Sequence, residues 1–254
     1  MKKLVAAAIA VLTIAPSAFA TDYAVFLHGR KEATWSGGFR VPAGFTAVDA
    51  ATDWNGTASI TNINYAGYAA LCASPNRCIV NNYSTGGLIT QRMQLLKAAN
   101  PMRTFSAASA GGGSELADAC GWITAWSCYY GGVDDNLKPT WARNGGNSLQ
   151  STRGNTSYHI AGNGWSWLSA ATSGIINGDD DSAVGPHSST GCDSSKSFGL
   201  GTDCRYDTSC ASRNWVGWCT RYNRAGARKS GHNQWVTGGW THFNISQEAP
   251  NRSF

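Results

Sequence analysis

A serine held at the crest of a sharp strand-to-helix turn can act as a nucleophile, and this chain has a serine in that setting. Arg77 to Asn81 (RCIVN) reads as a short buried strand. Leu88 to Ala99 reads as a helix, with apolar residues at Leu88, Ile89, Met93, Leu95, Leu96, Ala98 and Ala99. Asn82-Tyr83-Ser84-Thr85-Gly86-Gly87 lies between them. A turn that lifts the hydroxyl above the sheet edge needs small neighbours, the pattern G-x-S-x-G. Gly86 keeps the second glycine of that pattern and Asn82 replaces the first; asparagine tolerates unusual backbone angles better than most residues. The competing reading makes Ser84 an ordinary helix cap in an N-x-S turn.

A nucleophilic serine needs a base, an acid to orient that base, and donors for the oxyanion that forms. His28-Gly29 closes the apolar strand Asp22 to Leu27, so the backbone N–H of Arg30, with that of Thr85 after the serine, can face a developing oxyanion. Asp181, in Asp179-Asp180-Asp181-Ser182-Ala183-Val184, stands on a loop after a late strand, where the orienting acid belongs. The same three carboxylates could instead form a solvated turn or a calcium loop. His242, in Trp240-Thr241-His242-Phe243-Asn244-Ile245, is the candidate base, and His232 in Ser230-Gly231-His232-Asn233 is its rival. His28 fits the oxyanion loop, His159 a strand, and His187 the loop after the acid. The chain order is serine, aspartate, histidine, with the His-Gly strand end ahead of all three.

The elements that must carry these residues alternate. Asp22 to Leu27, Arg77 to Asn81, Met102 to Ala108 and Tyr158 to Ala161 read as strands. Arg40 to Ala47 could hold a further short strand, Thr57 to Ile63 the start of a helix that includes Tyr65 to Leu71, and Leu88 to Ala99 a second helix. Alternation of this kind predicts an α/β fold, a mostly parallel central sheet flanked by helices. Two polar, Gly- and Ser-rich stretches, near 131–157 and 186–234, read as long loops, and no repeat or linker divides the chain.

Residues 1–20 read as an export signal: Lys2 and Lys3, the apolar run Leu4 to Ile14, and Ala18-Phe19-Ala20 as the cleavage site. Residues 21–254 are then a single domain, secreted or periplasmic, with no further segment apolar enough to cross a bilayer. Eight cysteines behind such a leader point to disulfides. Cys72 with Cys78 and Cys120 with Cys128 would close short loops, while Cys192, Cys204, Cys210 and Cys219 can pair in any of three ways. No CxxC pair exists to hold zinc, so neither a metal nor another cofactor is expected. With Lys2 and Lys3 removed the positive surplus is small, and no Lys/Arg run is present to track a nucleic-acid backbone. Trp122, Trp126, Trp165, Trp167, Trp215, Trp218, Trp235 and Trp240 crowd the second half, either as packing or as a surface for sugars, lipids or polymers.

Five segments resemble the secreted bacterial lipases of the α/β-hydrolase superfamily: Phe26-Leu27-His28-Gly29, Tyr83-Ser84-Thr85-Gly86-Gly87, Ala108-Ser109-Ala110-Gly111-Gly112-Gly113-Ser114-Glu115-Leu116-Ala117-Asp118, Asp181 to Ser189, and Thr241-His242-Phe243. The third is similar to the lipase P-H-x-G-S-x-x-A-D segment, with Ala110 where that family has histidine. The fourth is similar to the D-G-x-V-x-x-x-S-S loop, with Ser182 in place of the glycine after the acid. Cys192 to Trp240 matches no segment of that family. The resemblance implies an α/β-hydrolase fold, an esterase or lipase with Ser84, Asp181 and His242 as its triad, and a small-molecule, lipid or polymer ester as substrate. An amidase, a peptidase or a cell-envelope acyltransferase could use the same scaffold. Exposed aromatics on polar loops would suit a non-enzymatic module that binds glycan or protein. The sequence leaves the oligomeric state open.

Overall fold

A strand buried on both faces needs an unbroken apolar run, and Ala24-Val25-Phe26-Leu27 supplies one at the centre of the protein. The computed structural model describes residues 20–30, 41–49, 56–96, 101–117, 131–144, 156–162, 164, 176, 181–189, 210–213, 219–222, 232–237, 241–242 and 244–247. Six parallel strands form the main sheet in the order β2-β1-β3-β4-β5-β8. They are β1 (Asp22–Leu27), β2 (Phe45–Asp49), β3 (Arg77–Tyr83), β4 (Arg103–Ala107), β5 (Thr156–Gly162) and β8 (His232–Thr237). β6 (Cys210–Arg213) and β7 (Cys219–Tyr222) form a separate antiparallel pair.

The sheet buries two apolar faces because side chains alternate along each strand. Val25, Leu27 and Val80 point to one face, where they meet Leu88, Ile89 and Met93 of α2 (Thr85–Leu95) and Tyr65 and Tyr68 of α1 (Tyr65–Cys72). Ala24, Phe26, Ile79, Tyr83, Phe105, Ala107 and Ile160 point to the other, which Ile245 from the 3₁₀ turn Ile245–Gln247 helps to cover. Tyr65 is buried and donates its hydroxyl to the Ile60 carbonyl at 2.8 Å. Burial disfavours the phenolate and, against a smaller opposing pull from Arg92, pushes that hydroxyl well above the ordinary tyrosine range.

Since the strands run one way, their C-terminal ends share one edge. His28-Gly29-Arg30 leave β1 there, Ser84 leaves β3, and Thr241-His242 come shortly after β8. A topology of this kind collects loop residues distant in sequence into one crevice.

The structure redraws several elements. α2 begins at Thr85 rather than Leu88 and ends at Leu95; its first turn holds Gly86 and Gly87, weak helix formers that carry no apolar periodicity. The stretch read as a loop near 131–157 contains α3 (Gly132–Leu137) and α4 (Pro139–Asn144). The stretch near 186–234 contains α5 (Pro186–Ser189), β6, β7 and the first half of β8. The Thr57 to Ile63 region holds only a short 3₁₀ turn, Ile60–Asn62, ahead of α1. The Cys72–Cys78 disulfide closes the α1–β3 connection. Cys120, Cys128, Cys192 and Cys204, the leader residues 1–19 and most of the second-half tryptophans lie outside the described residues. Among the described residues no helix is long and apolar enough to cross a membrane.

Candidate active site

Ser84 sits between the last residue of β3 and the first of α2 with φ 53° and ψ −122°, a backbone setting L-residues rarely adopt. Two glycines make room for that turn. A Cβ on Gly86 would lie 2.3 Å from the Leu27 carbonyl oxygen and 2.9 Å from that of His28. A Cβ on Gly87 would lie 1.9 Å from Ser109 Oγ. α2 therefore rests directly on the exit of β1 and on the chain after β4. Asn82, in the place of the first motif glycine, is fully buried and donates from Nδ2 to Thr90 Oγ1 at 2.9 Å. Thr90 in turn donates to the Gly86 carbonyl at 2.9 Å. The amide thus occupies the strand–helix gap, and Gly87 supplies the space it needs, since a Cβ there would stand 3.1 Å from Asn82 Oδ1.

Ser84 is the residue before the first helical one, yet its side chain makes no capping hydrogen bond. Its Oγ lies 2.9 Å from His242 Nε2 instead. His242 Nδ1 donates to Asp181 Oδ2 at 2.9 Å, because an ionised carboxylate can only accept. All three residues are buried, at 7%, 6% and 0% exposure for Ser84, His242 and Asp181. The Tyr83 ring lies against the imidazole with centroids 5.1 Å apart.

Local chemistry shapes both partner segments. Asp181 Oδ1 accepts the N–H groups of Ala183 at 3.0 Å and Val184 at 2.8 Å, closing a tight turn with Ser182 at φ 87°. Ser114 braces that turn by donating to the Ala183 carbonyl at 2.5 Å. Gly112 N–H donates to the Ser188 carbonyl at 3.1 Å. The segment that begins at Ala108 thereby supports the segment that begins at Asp181. The Thr241–Ile245 turn is closed by the Ile245 N–H on the Thr241 carbonyl and anchored by fully buried Ile245.

At the β1 exit, buried His28 donates from Nδ1 to the Gly29 carbonyl at 2.8 Å. Arg30 follows it, and its Nε donates to Asp134 Oδ1 at 2.5 Å. Thr85 opens α2, so its N–H has no partner within the helix. The Leu27 and His28 carbonyls pressed against Gly86 hold the β1 exit beside the first turn of α2.

Ser84, Asp181 and His242 thus meet, and the loop bearing Arg30 lies beside Thr85. His232 is placed elsewhere. It is the first residue of β8, in register with Ser157 at the start of β5, so it lies toward the sheet edge opposite Ser84. His159 is a buried residue of β5, and the His187 side chain is outside the described residues. The Asp181 carboxylate accepts three hydrogen bonds, Asp179 and Asp180 of the calcium-loop reading lie outside the described residues, and no three His, Cys, Asp or Glu among the described residues cluster to hold a metal. No sequence pattern singles out Asp134, the partner of Arg30. The only signal for it was its place three residues after Gly131, whose N–H it accepts at 3.1 Å.

No known protein family matches the chain by sequence, and no curated protein does so at a significant level. Solved structures do match. The mature form of the Bacillus licheniformis lipase BlEst2 superposes with a TM-score of 0.59 at 18% identity, over 92% of this chain and 89% of that one. Its propeptide form superposes with the same score and identity, over 92% of this chain and 48% of that one. The chain has the α/β-hydrolase fold.

Proposed function

We propose that the protein is an exported serine hydrolase that cleaves carboxylic esters through an acyl-enzyme on Ser84. The observation that carries this reading is the line of hydrogen bonds from Ser84 Oγ through His242 to Asp181, with Ser84 at positive φ between β3 and α2. In the reaction, His242 Nε2 takes the hydroxyl proton as Oγ attacks the ester carbonyl carbon. The tetrahedral oxyanion is held by the N–H groups of Arg30 and Thr85, and Asp181 stabilises the imidazolium. The imidazolium then protonates the departing alkoxide, giving the alcohol. Water, deprotonated by the same imidazole, attacks the acyl-enzyme, and the acid leaves as Ser84 regains its proton.

Ester cleavage is also the activity class of the lipase that shares the fold, which supports the reading. Export is supported by the leader-like residues 1–20 and by the Cys72–Cys78 disulfide, which suits an oxidising compartment.

The test is reaction with a fluorophosphonate, in which Ser84 Oγ displaces fluoride from phosphorus. Labelling that vanishes in Ser84→Ala is the expected result, and unlabelled, well-folded wild type overturns the reading. p-Nitrophenyl esters should turn over far faster than the matching anilides. Product formed only when an acyl acceptor is added would reassign the protein to acyl transfer.

A further inference from the structure

We infer that Asp134 is a positioning residue for the oxyanion site, acting on the reaction through the side chain of Arg30; this rests on the function proposed above. The hydrogen-bonded register of β1 on β3 ends at Leu27, opposite Asn82. Arg30 lies three residues beyond it, where no sheet ladder holds the backbone whose N–H would meet the oxyanion. Its side chain reaches instead to α3, where Nε and Asp134 Oδ1 form an ion pair at 2.5 Å with the Asp134 side chain only 8% exposed.

α3 is a firm anchor. Val133 N–H donates to the Thr57 carbonyl at 3.0 Å, and Asn136 Oδ1 accepts both Ser59 Oγ and the Ile60 N–H at 2.9 Å. Gly131 lies so close to Thr57 that a Cβ would stand 2.4 Å from its carbonyl oxygen. The far end of α3 accepts Ser114 N–H on the Leu137 carbonyl at 2.8 Å, and Ser114 braces the Asp181 turn. One short helix therefore ties together the loop that would bind the oxyanion and the loop that carries the acid.

The simplest alternative gives Asp134 only a capping role, through Oδ2 and the Gly131 N–H. Asp134→Asn separates the two. The amide oxygen can still accept from Gly131, but its –NH₂ would face the Arg30 donor and break the pair. Misplacing a group by a fraction of an ångström is enough to matter, so kcat on a p-nitrophenyl ester should fall roughly tenfold with KM nearly unchanged. The rate of fluorophosphonate labelling should fall in parallel, since that reaction also builds negative charge on an oxygen at the same site. Arg30→Met, which keeps the backbone N–H, should lose a similar factor, and the double variant should be no slower than either single one.

Asp134→Asn with wild-type kcat and labelling rate overturns the inference, even if its melting temperature drops. So does a loss that multiplies fully with that of Arg30→Met. Wild type that the probe fails to label overturns the proposed function and this role together, a result distinct from a silent Asp134→Asn in a labelled enzyme.

Discussion

Asp181 and His242 are joined twice. The backbone N–H of His242 donates to the Asp181 carbonyl at 2.7 Å, and its imidazole Nδ1 donates to Asp181 Oδ2 at 2.9 Å. The first bond sets where the histidine starts from and the second sets which way its ring faces. Two residues 61 positions apart are thereby locked as one unit before the serine is considered.

That unit makes a sharp forecast for Asp181→Asn. Oδ1 is claimed by the N–H groups of Ala183 and Val184, so the single oxygen of asparagine will stay there. The –NH₂ must then face Nδ1, which moves the ring proton to Nε2 and leaves no base for Ser84. By analogy with the same change in serine proteases, kcat should drop about 10⁴-fold with the fold intact. Steady-state kinetics beside a thermal melt checks this; activity within tenfold of wild type would show that Asp181 does not set the tautomer.

The glycines after Ser84 should respond differently to alanine. At Gly86 the methyl would meet backbone, the Leu27 and His28 carbonyls, so no neighbouring side chain can yield. At Gly87 it would meet the Ser109 side chain, with Cβ at 2.5 Å. Gly87→Ala should be partly rescued by Ser109→Gly and Gly86→Ala should not, as read by soluble yield and ester turnover.

Ser182 sits at φ 87° where the lipase loop has glycine. Left-handed backbone costs an L-residue about 1–2 kcal/mol, partly offset by the entropy glycine loses on folding. Ser182→Gly should therefore be more stable than Ser182→Ala by about 1 kcal/mol in urea unfolding. Both variants lack the hydroxyl, so the comparison isolates the backbone. Equal midpoints would mean the turn carries no strain.

Tyr65 offers a pH signature. Its hydroxyl is neutral and buried in the folded protein, with its ionisation pushed up by desolvation, while the unfolded chain ionises in the ordinary range, about 10. The folded value is the higher one, so this contribution is complete below the unfolded value and is lost as pH rises through the alkaline range. Tyr65→Phe should lose about 1 kcal/mol near neutrality with the bond to Ile60, and should fall less steeply than wild type above pH ~10. Parallel alkaline limbs in denaturant melts would contradict this.

The parts of the site legible in the sequence were those set by local spacing. Ser84 stands within three residues of both glycines that permit its turn, and Asp181 three residues before the Val184 whose N–H it binds. What escaped was decided by partners far along the chain. β8 takes its place beside β5 through register with Ser157 to Gly162, although its own HNQWVT is mostly polar and sits in a polar stretch. α3 and α4 have six residues each, too few to show a helical period; α3 gains its place from contacts with Thr57, Ser59 and Ser114, and α4 by burying Ala142 in the core. The pairing of Asp134 with Arg30, 104 residues earlier, has no local spacing to announce it.

The distance along the chain between Ser84 and His242 also sets an order in time. The nucleophile turn needs β1, β3, β4 and α2, all of which lie in the first 107 residues. The base arrives 158 residues after the serine, once β8 has been made. The chain emerges N-terminus first, so the serine turn precedes by far the histidine proposed as its base. On the proposed function, ester turnover would therefore require a chain folded through His242 and would report on completed assembly as well as on chemistry.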